Sequence, residues 1–262
     1  MTARSIGIPG STDLGIVRRI APVVEAAGYR ALWLNDGPGG DSLAALAAAA
    51  EVTSTLGLAT GVIPLDRQPG RVIAGRVHDL GLPLGRLRIG VGSGGARHGL
   101  ATVERGVGEL RDLGVPVLVG ALGPRTRTLS ARIADGILFN WISPEAAAEA
   151  MSRLRADAEG RTVAGVLYVR TIASPDAQQA LDAEGERYAG IPQYAANFAR
   201  LGIRPGDTTA NLTEAGSLAR FDVVDEVVLR AITASGAVEE LLALIEAGAP
   251  GAVTDPGTTR SS

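Results

Sequence analysis

Apolar positions along the chain alternate between two patterns. Short β-branched runs occur at Ser5–Ile8, Arg30–Leu34, Leu56–Ile63, Leu87–Val91, Val115–Val119, Gly136–Asn140, Val163–Ile172 and Glu226–Ile232. Runs of this length bounded by glycine, proline or polar turns predict buried strands. Between them, apolar residues recur three and four apart and predict helices over Leu14–Ala27, Asp41–Ser54, Pro69–Leu80, Thr102–Leu113, Pro124–Ala134, Ser143–Ala158 and Val238–Ala247. In the first helix Val17, Ile20, Ala21 and Val24 share a face and Gly28 is a stop signal, while Pro22 predicts a kink or a later start. Ser143-Pro144-Glu145 combines an N-cap, a first-turn proline and an early carboxylate. Strand and helix alternate about eight times at intervals of roughly 25–30 residues, which predicts a (β/α)8 TIM barrel. A doubly wound open sheet is the alternative, because alternation alone does not show closure.

One interval breaks the rhythm. Ser174–Val224, between the seventh and eighth strands, carries weak helical patterns, Tyr188, Tyr194, Phe198 and turn signals at Arg204-Pro205-Gly206. Long inserts in compact domains tend to be functional covers, so 174–224 is expected as a lid above the barrel. Residues 1–253 then form a single domain, and Thr254–Ser262 is expected to be a disordered tail.

Three of the predicted strands end in glycine-rich turns before a helical pattern: Ala59–Pro64, Gly90–Gly95 and Val119–Arg125. In a parallel α/β fold such ends share one rim. Bare backbone N–H groups and helix N-termini on that rim suit a phosphate-bearing cofactor. In the third turn Gly123 permits close backbone approach, and Arg125 is placed to pair with an anionic oxygen.

Composition narrows the chemistry. The chain has 262 residues, 46% of them hydrophobic, and a formal net charge of −3, which gives no general attraction to nucleic acid or to an anionic membrane. No apolar run approaches the roughly 18 residues of a membrane span, and Ile6 already begins a strand where a signal peptide would carry its basic segment. A cytoplasmic enzyme is expected. Without cysteine, thiolate nucleophiles and sulfur-ligated metals are excluded. All 25 basic residues are arginine, so lysine Schiff-base chemistry and a lysine-assisted P-loop are excluded too. His78 and His98 lack partners at metal-ligand spacing, and no metal site is expected.

Several segments together resemble the bacterial luciferase-like superfamily of flavin-dependent monooxygenases and coenzyme F420-dependent oxidoreductases. They are Ala26–Asp36, Leu58–Leu65, Leu80–Gly95, Pro116–Gly136 and Ser143-Pro144-Glu145. The likeness covers residues 5–150 well and Asp225–Gly248 more loosely. It implies a (β/α)8 barrel holding F420 or FMN at the carboxyl ends of its strands, and a homodimer. It further implies a cis Gly61–Val62 peptide behind the cofactor ring. The implied cofactor contacts are Asp36, Thr60, Gly61, Val62, Gly92, Ser93 and Gly94 around the ring, and Gly120, Ala121, Leu122, Gly123, Pro124 and Arg125 at the phosphate. Gly37 and Gly95 stand where many F420-dependent members carry histidine and glutamate, so the usual acid/base groups do not carry over.

Asp36 and His98 are the candidates for proton transfer, and Asn140 and Trp141 for the substrate wall. Tyr188, Tyr194 and Phe198 would line the lid, and Arg97 and Arg125 would meet an acidic cofactor tail. The expected function is F420-dependent hydride transfer to or from a small organic substrate. The alternatives are an FMN-dependent monooxygenase, a non-catalytic flavin- or F420-binding protein, and an unrelated phosphosugar-binding barrel.

Overall fold

A computed structural model describes residues 2–37 and 39–251. Its strands are β1 (Ala3–Pro9), β2 (Ala31–Asn35), β3 (Gly57–Thr60), β4 (Ile63–Pro64), β5 (Leu87–Gly92), β6 (Val117–Gly120), β7 (Gly136–Asn140), β8 (Ala164–Ile172), β9 (Thr209–Asn211) and β10 (Glu226–Ala231). All pairings are parallel, and β10 bonds both to β1, with Ile6 opposite Leu229, and to β8, with Leu167 opposite Val227. That double pairing closes the sheet into a TIM barrel and removes the open-sheet alternative. Two short strands stand outside the eight-stranded ring: β4 continues the line of β3 and pairs with β5, and β9 extends the sheet beside β8. The Gly61–Val62 peptide between β3 and β4 is cis. No helix among the described residues is long and apolar enough to cross a membrane.

The helices are α1 (Leu14–Ala26), α2 (Ser42–Ala50), α3 (Gly70–Asp79), α4 (Gly99–Leu110), α5 (Pro124–Ile133), α6 (Pro144–Asp157), α7 (Gln178–Ala189), α8 (Pro192–Leu201) and α9 (Val238–Ala247). α1 begins at Leu14 and runs through Pro22 rather than starting late. Asp13 fixes that start by accepting hydrogen bonds from the N–H groups of Gly15 and Ile16. Ser143 caps α6 as its motif predicts. The 174–224 interval contains α7, α8, β9 and three short 3-10 turns. The terminal segment 254–262 lies outside the described residues.

Buried apolar side chains fill two layers. One lies between the outer strand faces and the helices; the other fills the barrel lumen with Ala31, Trp33, Ala59, Leu118, Leu138, Val166, Tyr168 and Val228. Helices are also tied to the barrel by polar contacts. Glu25 of α1 accepts from the N–H groups of Ser54, Thr55 and Leu56 and from the Thr55 hydroxyl, at 2.6–2.9 Å. The backbone bond from Thr55 is the chief reason its carboxyl titrates near 2.

The amino-terminal end of the lumen is closed by charge. Glu226 is 2% exposed and takes two bonds from Arg88, at 2.6 and 3.0 Å, one from the Ser5 hydroxyl at 2.7 Å, and one from the Trp33 indole at 2.8 Å. Arg88 also lies 4.8 Å over the Trp33 ring. Burial pushes the Glu226 carboxyl upward, but the bonds and charge of Arg88, with Ser5 and Trp33, outweigh it and hold it below the usual range. The stability this gives is therefore present above the unfolded carboxyl pKa and is lost as pH falls through the lower folded value. Arg88→Met leaves the buried Glu226 carboxylate with its Ser5 and Trp33 bonds and, as counter-charge, only the mostly exposed Arg30 at 3.4 Å. It should cost about 3 kcal/mol at neutral pH in urea unfolding, with the loss shrinking as Glu226 protonates; a cost below about 1 kcal/mol would place the pair outside the stability of the barrel.

Candidate active site

Strand periodicity carries the lumen-facing row upward to the carboxyl-terminal rim. From Trp33, Ala59, Leu118, Leu138, Tyr168 and Val228, a step of two residues along each strand reaches Asn35, Gly61, Gly120, Asn140, Arg170 and Arg230. On β5 the same row runs Arg88, Gly90, Gly92. The mouth is therefore asymmetric: β3, β5 and β6 bring glycine to it, whereas β7, β8 and β10 bring long polar side chains.

The bare half is organised around Val62. A Cβ on Gly92 would lie 2.9 Å from the valine's Cγ2, and one on Gly120 would lie 3.1 Å from its Cγ1. A Cβ on Gly90 would collide with the Thr60 carbonyl oxygen, and one on Gly61 with the Tyr168 hydroxyl. The Thr60 hydroxyl meanwhile donates to the Gly90 carbonyl and accepts from the Gly90 N–H, both at 2.9 Å. Three glycine turns predicted from separate stretches of sequence thus meet at one place, and Val62 is part-buried, as is Gly120, while Gly61, Gly90 and Gly92 are buried. Asn35 donates to the Gly61 carbonyl at 2.5 Å.

Next to it, the Ser93–Gly95 turn is anchored by a residue that sequence reasoning missed. Asp66 accepts from the Gly95 N–H at 2.8 Å and occupies the space a Cβ on Gly94 would need; Gly94 itself has φ +59°. Ser93 is part-buried and His98, just before α4, is exposed. The turn after β6 delivers Gly123 as the N-cap of α5, with Pro124 in the first turn. Ala121 is buried, Leu122 is part-buried and Arg125 is exposed. The first-turn N–H groups of Arg125 and Thr126 have no partner within the helix. A Cβ at Gly123 would meet nothing within 4 Å.

Asp36 closes β2 and is 9% exposed. Gln68 donates to its Oδ2 at 3.4 Å and Arg67 to its backbone carbonyl at 3.3 Å, while Oδ1 is buried without a partner. Burial raises its carboxyl above the ordinary range; Arg67 and a backbone bond from Ser42 oppose this only in part.

The polar half is a packed network. Arg170, 2% exposed, donates to Asn140 and, at 3.0 Å, to Glu184 of α7; Arg230 lies 3.6 Å from the other Glu184 oxygen. Burial pushes the Glu184 carboxyl up, yet the charges of Arg230 and Arg170 bring it below the usual range. The Arg170 guanidinium stacks 3.9 Å over Trp141, which is 1% exposed and also meets Tyr188 and Phe198, and Tyr188 meets Tyr194. Asn197 of α8 donates to the Trp141 carbonyl at 2.9 Å, and Arg200 to the Leu122 carbonyl at 3.1 Å. The 174–224 interval thus rests on the rim from β10 round to β6. Arg170, Arg230 and Glu184 went unnoticed in the sequence, where nothing distinguishes them from surface arginines and acids.

Among the described residues, four polar atoms buried at this end lack partners: Asn35 Oδ1, Asp36 Oδ1, the Tyr168 hydroxyl and the Trp141 indole nitrogen. Buried polar groups are ordinarily satisfied, so their concentration at one mouth marks a place where a ligand or ordered water completes the bonding. A part-exposed apolar floor, backbone stripped of side chains and a neighbouring helix N-terminus suit a flat ring joined to a phosphate.

This architecture defines a TIM barrel whose candidate site lies at the carboxyl ends of the strands. A model of the luciferase-like monooxygenase family matches residues 2–111 and 102–254, and the chain belongs to that family. The fold is similar to that of the monooxygenase RslO1 from Streptomyces bottropensis, at 17% identity over 95% of this chain and 98% of that one, with a TM-score of 0.69. It is also similar to the coenzyme F420-dependent tetrahydromethanopterin reductase from Methanopyrus kandleri, at 14% identity, 95% and 98% coverage and a TM-score of 0.67. A third similar structure is the oxygenating constituent of 3,6-diketocamphane monooxygenase from Pseudomonas putida, a type II Baeyer-Villiger enzyme in complex with FMN, at 12% identity, 95% and 97% coverage and a TM-score of 0.65. No curated protein matches the chain by sequence.

Asp36→Asn tests the environment of the rim carboxyl. Its folded pKa is raised, so ionisation costs stability once pH exceeds the folded value, and below the unfolded value of about 3.9 there is no such cost. The variant should melt higher than the parent at pH 7, and the gap should close as pH falls below about 4. A gap that is constant with pH would mean that Asp36 is fully solvated.

Proposed function

We propose that this protein is an oxidoreductase that binds coenzyme F420 in the barrel mouth and transfers a hydride between it and a small organic substrate. The observation that carries the reading is the convergence of Gly92 and Gly120 on the part-exposed Val62, one turn away from the N-terminus of α5. Val62 and the peptide before it would back the ring, and Gly92, Ser93 and Gly94 would run along its edge. Gly120–Arg125 would hold the phosphate through the N–H groups of the first turn of α5. When bound, the deazaflavin supplies the two-electron chemistry.

The chain's own residues do the rest. Asp36, with a raised carboxyl and a free oxygen, and Asn35 sit at the rim where they can hold a proton or donate a bond. Arg170, Arg230 and Glu184 anchor α7 over the opposite side, and 174–224 would exclude water there as a lid. Asn140 would form part of the substrate wall beneath it, with Trp141 packed behind under Arg170. Exposed Arg97 and Arg125 give the rim positive charge suited to an acidic cofactor tail. Family membership and the FMN-bound similar fold favour a second reading, in which FMN occupies the same cradle and the chemistry is monooxygenation. In either case a homodimer is the expected assembly.

Titration of the purified protein with F420 and with FMN, followed by absorbance and fluorescence, separates these readings. F420 should bind saturably and more tightly than FMN. The Gly123→Val variant should stay folded with a melting temperature lowered only slightly, since open space surrounds that position and valine is simply a poorer N-cap than glycine, while weakening F420 at least tenfold, about 1.4 kcal/mol. Tighter FMN binding would select the second reading. If neither chromophore binds, or if Gly123→Val binds like the parent, the cradle is not a cofactor site.

A further inference from the structure

Outside the barrel wall, α5 and α6 part over the outer face of β7 and leave a crevice of about 430 Å³. Ile137 and Phe139, which alternate with the lumen-facing Leu138, form its apolar floor. Leu154 of α6 and Leu201 at the end of α8 contribute apolar walls. Arg127 lies in this crevice and is poorly served by the protein. Its Nε donates to the Ala121 carbonyl at 3.2 Å and its guanidinium lies 5.2 Å over the Phe139 ring. Its Nη2 is buried with no acceptor, and Nε is its only donor with a partner among the described residues.

The other charged groups around it are already engaged. Arg153 pairs with Glu149 at 2.6 Å, and Asp157 accepts from the Thr128 hydroxyl at 2.7 Å. Arg200 donates to the Leu122 carbonyl at 3.1 Å and to Asn197 at 2.5 Å. Three arginines and two carboxylates therefore line the crevice, a net charge of +1; Glu149 neutralises Arg153, whereas Arg127 and Arg200 have only neutral hydrogen-bond partners among the described residues, and Arg127 is the one with a buried donor left over. Burial and the charges of Arg200 and Arg153, opposed by Glu149, pull its guanidinium down to about 10. It remains a cation at neutral pH, without a counter-ion, above an apolar floor.

We infer that this crevice is a second ligand site, outside the barrel wall and adjoining the mouth at Pro124, and that it takes an amphipathic monoanion: a carboxylate on an aliphatic stem. The planar guanidinium of Arg127 receives the carboxylate, and the stem lies along Ile137, Phe139 and Leu154. Arg200 connects the site to the mouth, because it rises from α8 and holds the loop that precedes α5. An anion beside Arg127 and Arg200 fastens α8 to that loop. The inference does not depend on which cofactor the mouth binds.

Isothermal titration of the full chain with octanoate, octanamide and inorganic phosphate tests it. Octanoate should bind saturably at one site per chain, and octanamide and phosphate at least tenfold more weakly. Arg127→Met should weaken octanoate at least tenfold and Arg127→Lys should recover part of the loss. Ala146→Phe, which fills the crevice without touching a charge, should weaken it as well. Melting curves of each variant show that it is folded, and the octanoate–octanamide comparison needs no variant. Absence of saturable octanoate binding, equal affinity for octanamide or for phosphate, or unchanged affinity in folded Arg127→Met would overturn the assignment.

Discussion

The carboxyl-terminal end of this barrel is built around the volume of one side chain. Val62 projects where three parallel strands run out together, and neighbouring positions 92 and 120 leave no room for a Cβ without displacing it. Gly61 is held to glycine by Tyr168, and Gly90 by the Thr60 carbonyl. Packing of this density passes the requirement from strand to strand, so the glycines form one constraint rather than four local ones. The same constraint leaves Val62 as an apolar floor, part-open at the one end of a TIM barrel where sites are found.

Opposite this floor the lumen changes character. Arg170 and Arg230 rise from adjacent strands and meet a single carboxylate, Glu184, borrowed from α7. Two buried cations with one shared anion hold the 174–224 interval to the rim, with Trp141 and its aromatic neighbours packed beneath it. At the far end of the lumen Glu226 is paired with Arg88 and, at 3.4 Å, with the mostly exposed Arg30, and every oxygen of the carboxylate is engaged. The barrel thus separates a charge-paired base from a mouth in which several buried polar atoms lack partners among the described residues. That separation is why chemistry is assigned to one end only.

Much of the fold was legible in the sequence, because period and punctuation act locally. Strand β7 and helix α9 match the predicted boundaries, and the Ser143 cap and the glycine turns lie where their motifs place them. Pro22 misled on the start of α1, since the Asp13 cap acts from outside the helix and overrides the proline's signal. Legibility of the site was uneven. Glycine announces itself as a missing side chain, so the bare half could be read directly. Arg170, Arg230, Glu184 and Asp66 could not: their meaning comes from partners 14 to 46 positions distant on other elements, which no local pattern encodes. Trp141 was placed on a pocket wall, and its burial beneath Arg170 depends on the same long-range packing.

Diffraction from crystals grown with F420 tests the shared cradle most directly. The expected result is a ring stacked on Val62, between Gly92 and Gly120, with its phosphate at the first turn of α5. A chromophore bound anywhere else on the protein, or a mouth that stays empty at saturating cofactor while the protein remains folded, would contradict it.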